Sequence, residues 1–570
     1  MRSIPIQYTT VPDIQVMNIS WERIFLNITI QADRADPLSF SLMNVKLSQV
    51  DPLKMDNYEG DCRSIPATLT DEIPLTPHRV EGSTYYFRLN ITTINKGGFL
   101  DNGRWYIATR EAGEKDVVFC SVSYDESYRL CDHDRIFPYK QTRYSYTVQF
   151  VPTSFDSETI VPVLHSRFMI RNDNWRDAYA TGDRSSIKGK LSCILFKLKT
   201  ALMQFIYNTV EKRSKKDGSR VLFMTETKPY LWGNLKYIDD RLKERGLDKQ
   251  LAIDYSLHNA VGKKNSKRGW LMTIKKLAAQ DFIFIDDYAP TFTYLKLSDR
   301  TKLVQVWHAG VGFKSIGYSR FGMVGTPHPA VSAHRGYDYV ITGSQKLVEV
   351  YSEAFGVPEE KVLPLGMARL DGFLDEDVVA KKTSEFYAAH PECKGKELIL
   401  FCPTFRGADQ KHAHYKYNEL DLKEIYDFCG DEYIWAFKMH PFVRNKVEIP
   451  EEYRNRIIDL TDSQNINDLY YVTDIMITDY SSAYYEYSLL KRPVLFFTYD
   501  RNLYETVRGV HRNIKDTAPG KVCDTFEELL EALKNKDFEI EKTIRFYEEN
   551  FGEYDGKAAD RIIDAIILGR

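Results

Sequence analysis

The sequence predicts an α/β protein: two parallel-sheet halves, each wrapped by helices, behind a β-rich N-terminal domain. Three observations predict it. From Arg220 onwards, short apolar runs alternate with helical segments, the pattern of strands covered on both faces by crossover helices. After Gly395 the same series starts again. Before about residue 170 the period is that of half-buried strands, alternating or β-branched and aromatic, with turn signals between them.

The chain has 570 residues, too many for one core. With 43% hydrophobic and 28% charged residues it reads as a globular chain of soluble type. A net charge of −3 exerts no global pull on nucleic acid, so any anion site must be local. Eight scattered cysteines with no CxxC pair suit free thiols in a reducing compartment. The opening MRSIPIQYTT has no apolar signal core, so export is not expected.

Residues 1–170 form the β-rich domain. Its strand candidates include Ile24–Ile30, Tyr85–Ile94, Trp105–Thr109 and Tyr144–Phe150, and the turn signals are Asp51-Pro52, Gly97-Gly98 and Asp101–Gly103. An antiparallel sandwich or barrel is expected, with a binding or spacer role. The cluster Cys131, Asp132, His133, Asp134 is spaced too tightly for a defined metal site and reads as a solvated loop. Residues 171–217 are a linker containing Leu191–Val210, LSCILFKLKTALMQFIYNTV, followed by EKRSKK. Lys197 and Lys199 break it as a spanning segment. It is an amphipathic basic helix that either lies on an anionic membrane surface or buries one face between domains.

Residues 218–385 make the first half, with strands at Val221–Thr225, Leu251–Tyr255, Phe282–Ile285, Lys302–Trp307 and Tyr339–Thr342. Helices are expected near Tyr237–Arg245, Gly269–Ala279, Thr291–Leu297 and Lys346–Phe355. Residues 386–570 make the second, with strands at Glu397–Cys402, Tyr433–Lys438, Ile457–Asp459, Ile475–Thr478 and Val494–Phe497. Both halves are Rossmann-like, and a cleft between two such halves is a natural ligand site.

Polar residues collect where these strands stop, the place at which open α/β sheets bind ligands. Leu303–Trp307 runs into His308, then Ala309, Gly310, Val311, Gly312 and Lys314. Glycines let backbone amides approach a phosphate, and the histidine can take a proton. In the second half the strand ends carry Pro403 and Thr404; Lys438, Met439 and His440; and Ser481 and Ser482, entering a helix that carries Glu486. Arg369 lies on the loop LGMARLDGF. Each has a plainer reading: the serines as helix caps, His440 as a core histidine, Arg369 in a surface ion pair. Together they suit a diphosphate, with serines at a helix start and cations around it. There is no convincing DxD pair; Asp286-Asp287 is the acidic doublet to watch. A metal-free site is expected, with Mg²⁺ the one cofactor left open.

The ordered motifs VQVWHAG, LGMARLDGF, FCPTFRG, FKMHP and INDLYYVTDIMITDYSSAYYEYSLLKRPVLFFTYD resemble the CDP-glycerol glycerophosphotransferase family, the teichoic-acid polymerases and primases of bacteria. The resemblance runs from about Arg220 to the C-terminus. It implies a GT-B fold, two Rossmann-like domains facing a cleft. It implies transfer of glycerol or ribitol phosphate from a CDP-activated donor to a hydroxyl of a lipid-linked glycan or teichoic-acid acceptor, releasing CMP. The place implied is the cytoplasmic face of the bacterial plasma membrane. His308 matches the family's proposed general base and His440 its second essential histidine. The donor site maps to Ala309, Gly310, Val311, Gly312, Lys314, Arg369, Pro403, Thr404, Lys438, Met439, Ser481, Ser482 and Glu486. Two departures lie there: WHAGVGFKS stands where familiar members read WHGTPLKK, and Glu486 where Asp is usual. They leave the polyol open. The rival readings are a GT-B glycosyltransferase using a nucleotide-sugar, which the same architecture would serve, and a non-enzymatic surface or scaffold protein.

Overall fold

The computed structural model describes residues 4–34, 38–47, 67–110, 116–139, 144–154, 159–169, 187–258, 267–308, 310, 313, 315–322, 327–328, 332–407, 412–462, 465–507, 510–552 and 554–570. These residues fall into two compact units.

The first unit comprises residues 1–200 with 316–335 and 353–358. Its strands join in one twelve-stranded sheet. The pairing is antiparallel except where Tyr8–Glu22 meets Val117–Ser121. The alternation that predicts strands is visible in Thr84–Asn90: Tyr85, Phe87 and Leu89 are buried and the residues between them are not. The larger core gathers Trp105, Phe137 and Tyr146, and it also takes in Tyr318 and Phe321. Phe321 stacks on Phe137 at 5.2 Å between ring centroids. The Arg335 guanidinium donates to the Gly97 and Gly356 carbonyls at 2.5 and 2.9 Å. Segments 316–335 and 353–358 lie inside the stretch 218–385 that sequence alone treats as one domain; the structure puts them with the N-terminal strands. His133 of the tight Cys131–Asp134 cluster faces Glu126 at 3.2 Å. Among the described residues no three His, Cys, Asp or Glu side chains converge as a metal set. The described cysteines are free thiols.

The second unit, residues 201–315, 336–352 and 359–570, holds two six-stranded parallel sheets. Across the first sheet the strands run Ala252–Leu257, Arg220–Thr225, Phe282–Ile285, Lys302–Gln305, Tyr339–Ile341, Val362–Leu363. Across the second they run Ile457–Asp459, Tyr433–Phe437, Glu397–Phe401, Ile475–Thr478, Val494–Phe497, Lys521–Cys523. Each sheet reverses its winding once, beside its first strand: between Arg220–Thr225 and Phe282–Ile285, and between Glu397–Phe401 and Ile475–Thr478. Beyond the carboxyl ends of those strands the two crossover connections diverge and leave a crevice.

Sequence and structure differ at a few elements. Val362–Leu363 and Lys521–Cys523 pair at the sheet edges, but two or three residues show no periodicity to read. The helix expected near Thr291–Leu297 is a single 3₁₀ turn, Pro290–Thr293, started by proline. The C-terminal helix, Ala558–Ile562 continuing to Leu568, packs Ala559, Ile562, Ile563, Ile566 and Ile567 against Val221, Phe223 and Val304 of the first sheet. The chain therefore ends on the core of the first half, which a contiguous boundary at 386–570 does not express. Arg241 and Arg245 fasten it, both reaching Asp560 at 2.9–3.0 Å.

Candidate active site

The first crevice is built around His308. The strand Lys302–Gln305 ends, Val306 still donates to the Ile285 carbonyl at 2.9 Å, and Trp307 then turns into left-handed backbone at φ +51°. A bulky residue adopts that conformation only when its surroundings impose it. Two side chains do so here. The Gln305 carbonyl oxygen accepts from the Trp307 amide at 2.9 Å, and Asn234 donates to the carbonyls of Val306 and Trp307, both at 2.9 Å. The turn aims His308 at the winding reversal. Its Nδ1 sits 3.0 Å from the Asp286 main-chain carbonyl and 3.9 Å from the Asp287 carboxylate. A carbonyl can only accept, so Nδ1 carries the proton and Nε2 is the basic nitrogen. The half-exposed ring lies between Trp307, at 4.5 Å, and Trp232, at 6.4 Å. The Lys228 ammonium stands 3.4 Å over the Trp232 ring. Asp286 itself is buried, and desolvation pushes its carboxyl up to about 6, with Asp287 adding to the rise and His308 opposing it.

A buried ion pair joins the two halves of this unit. Arg369, beyond the last strand of the first sheet, is bound to Glu486, on the helix that follows Ile475–Thr478; both are almost inaccessible. The Glu486 Oε1 also faces the Gly310 amide at 3.4 Å. Burial raises the Glu486 carboxyl, while the Arg369 guanidinium, the Gly310 amide and the charge of His308 draw it down. The Arg369 amide is itself held by the Asn234 carbonyl oxygen at 3.0 Å. Gly310 is required by proximity: a Cβ there would stand 2.5 Å from the Tyr485 ring. Phe313, three residues on, stacks on Tyr484 at 5.0 Å. Gly310 and Phe313 are thus seated on the second half.

The second crevice carries the other sequence-marked residues. The Thr404 amide donates to Asp479 at 2.8 Å, and its hydroxyl bonds the same carboxylate oxygen. Arg406 spans Asp479, at 2.9 Å, and Asp500, at 2.5 and 2.9 Å, inside a cage of Tyr415, Tyr480, Tyr499 and Tyr504. Lys438 turns its ammonium to the carbonyls of Leu460 and Thr461, at 3.0 and 2.7 Å. Met439 and Pro403 are buried. The His440 ring packs between Phe405 and Phe442, and its Nδ1 accepts the Phe442 amide at 3.2 Å. An accepting Nδ1 places the proton of the neutral ring on Nε2, the reverse of His308. The Ser481 hydroxyl accepts from the Ala483 amide at 3.2 Å, and Ser482 opens a helix of only five residues, Ala483–Tyr487.

The structure therefore ties His308, Gly310, Arg369 and Glu486 into one network, with Thr404, Ser481 and Ser482 around the second winding reversal and Met439 and His440 at the adjoining strand end. Ala309, Val311, Gly312 and Lys314 lie outside the described residues. Sequence reading missed Asn234, Trp232 and Lys228. They sit in KPYLWGN directly after the first strand, and their position at a strand end is the one signal that marks them.

Comparison with known proteins bears on the family of the chain. Residues 206–568 match the family model described as CDP-Glycerol:Poly(glycerophosphate) glycerophosphotransferase. The chain is 29% identical over 522 residues to the teichoic acid ribitol-phosphate polymerase TarK of Staphylococcus aureus, spanning 85% of this chain and 99% of that one. It is 36% identical over 372 residues to the teichoic acid poly(ribitol-phosphate) polymerase of Bacillus spizizenii, spanning 65% of this chain and 60% of that one. Among solved structures, the wall teichoic acid polymerase TagF superposes with a TM-score of 0.53 at 23% identity, covering 66% of this chain and 95% of TagF. Another TagF structure in this group is of a variant soaked with CDPG. The chain belongs to the CDP-glycerol:poly(glycerophosphate) glycerophosphotransferase family.

Proposed function

We propose that this protein transfers a polyol phosphate from a CDP-activated donor to a hydroxyl of a teichoic-acid-like, lipid-linked acceptor at the inner face of the bacterial plasma membrane, releasing CMP. In this reading the two parallel-sheet halves form a GT-B pair, with residues 218–385 on the acceptor side and most of 386–570 on the donor side. The β-rich N-terminal domain and the 171–217 linker are accessory to them.

The observation that carries the reading is the opposite tautomers of the two histidines. His308 offers a basic Nε2, with the Asp287 carboxylate 3.9 Å from its Nδ1. It would take the proton of the acceptor hydroxyl as that oxygen attacks the β-phosphorus, help worth roughly 10²–10⁴-fold. His440 offers an Nε2–H, a donor suited to the charge that grows on the diphosphate oxygens as CMP leaves. Thr404, Ser481 and Ser482 surround the second winding reversal, where a nucleotide is expected to bind. Lys228 stands beside the first as a further cation. Arg369 and Glu486 hold the loop bearing Gly310 rather than offer free charge. Ribitol phosphate is the first donor to test: the relatives named for ribitol phosphate are 29–36% identical and those named for glycerol phosphate 26–29%.

The test is CMP release from CDP-ribitol, CDP-glycerol and a panel of nucleotide-sugars, with a lipid-linked acceptor. The expected result is CMP from one CDP-polyol, lost in His308→Ala and His440→Ala. Turnover of a nucleotide-sugar alone would replace this reading with a glycosyltransferase.

A further inference from the structure

Residues 226–232, the loop that follows the strand Arg220–Thr225, hold a cation with no oxygen partner. Arg369, Arg406 and Lys438 are each committed to carboxylates or carbonyls of the protein. Lys228 is not. Among the described residues its ammonium makes no hydrogen bond and no ion pair, and it faces rings, Trp232 at 3.4 Å and Tyr230 at 5.8 Å. The side chain is half-buried, and desolvation holds its pKa below that of an ordinary lysine, with the charge of Asp286 opposing. A cation partly stripped of water without an anion is unfavourable in the free protein, and an incoming anion relieves it. The carboxylates of this crevice oppose an anion less than their number suggests, because burial raises the pKa of Glu226 and of Asp286. The helix Gly233–Glu244 begins at Trp232 with no side-chain cap and no acid in its first turn, which adds positive potential. Trp232 in turn lies 6.4 Å from the His308 ring, between centroids. The separations of 6.4 and 3.4 Å together bound the distance from the ammonium to the His308 ring at 9.8 Å.

We propose that Lys228 binds the phosphodiester of the acceptor's terminal unit, which makes this loop a subsite for the growing polyol-phosphate end. The inference rests on the reading above, in which His308 takes the proton of the acceptor hydroxyl. That hydroxyl must come within hydrogen-bond reach of Nε2. The nearest anion on the same molecule is the phosphate that joins its last polyol to the rest, one polyol away. The separation of His308 and Lys228 is of that order. Trp232, next to both groups, offers a flat apolar face to the carbons in between. An ammonium is a point charge and suits the single negative charge of a phosphodiester. The donor's diphosphate is the other source of the same chemistry. Position favours the acceptor: Lys228 belongs to the winding reversal that bears His308, whereas Thr404, Ser481 and Ser482 gather at the second one.

Short soluble oligomers of ribitol phosphate and of glycerol phosphate, and separately CDP, are titrated by calorimetry into the purified full chain. Wild type is expected to bind an oligomer, more weakly as salt rises, and not the uncharged polyol. Lys228→Met is expected to weaken oligomer binding at least about ten-fold, and Lys228→Arg to keep it within about three-fold. Both should bind CDP and melt as wild type does. In turnover, Lys228→Met should raise the KM of the acceptor and leave that of the donor. In wild type the oligomer, and not CDP, should protect Lys228 from acetylation mapped by mass spectrometry, a readout that needs no variant. Failure of wild type to bind either oligomer, equal binding by Lys228→Met, or acetylation of Lys228 that the oligomer leaves unchanged would overturn the proposal. So would loss of CDP binding in Lys228→Met, which would hand the cation to the donor. An oligomer held through Lys228 by a chain that releases CMP from no CDP-polyol would sink the reaction and leave the subsite. CMP release with an acceptor KM unmoved by Lys228→Met would do the reverse.

Discussion

Asp286→Asn tests the electrostatics of the first crevice without touching the atom that orients His308, since that atom is a main-chain carbonyl. The Asp286 carboxyl is buried, and burial lifts it from 3.8 to about 6. Between those values the folded chain holds a proton that the unfolded chain has released, so stability falls as pH rises through the interval. The gap is about two pH units at about 1.4 kcal/mol each, a penalty near ~3 kcal/mol above pH 6. Asparagine has the same shape and no charge to desolvate. Denaturation midpoints from tryptophan fluorescence should favour the variant by about 1.5 kcal/mol at pH 5 and about 3 kcal/mol at pH 7. A difference that does not grow with pH, or a variant less stable than wild type at pH 7, would refute the assignment of a desolvated carboxylate.

Three further outcomes follow from the contacts around the crevices. Glu486→Gln should cost about 3–5 kcal/mol by leaving the Arg369 guanidinium buried without its anion, and Glu486→Leu with Arg369→Met should recover stability but not activity; paired melts and CMP-release assays check both. Arg406→Lys should destabilise by a similar order, about 3–5 kcal/mol, because an ammonium cannot fork across Asp479 and Asp500; a conservative result in urea denaturation would count against a structural role. Gly310→Ala should drive a methyl group into the Tyr485 ring, at a cost of about 1–3 kcal/mol, and should depress kcat by displacing the loop after His308; Tyr485→Ala in the same chain should return part of the loss.

The sequence by itself determined most of the central strands of the two parallel sheets. Apolar runs such as Phe282–Ile285 and Ile475–Thr478 appear with the same bounds in the structure, because a strand buried on both faces leaves a continuous signal that local composition carries. The alternation in Thr84–Asn90 is equally local, and so are the polar residues at the strand ends. The ordered motifs were enough to name the family, which the family match shows.

Tertiary structure decided what those side chains do. Nothing near Arg369 in sequence indicates Glu486, 117 residues away, as the anion that occupies it. Arg406 and Asp500, 94 residues apart, likewise meet only through the fold, as do Asn234 and the carbonyls it holds beneath Trp307. The proton positions on His308 and His440 depend on single distant or looped contacts, a carbonyl in one case and an amide in the other. The same holds for the chain's course: Phe321 joins the N-terminal core and Ile563 the first sheet because apolar surface packs wherever complementary surface is folded, whatever its distance along the chain. Local order is written in periodicity. Partnership is decided by burial, which leaves a charge or a ring only the neighbours that the fold brings to it.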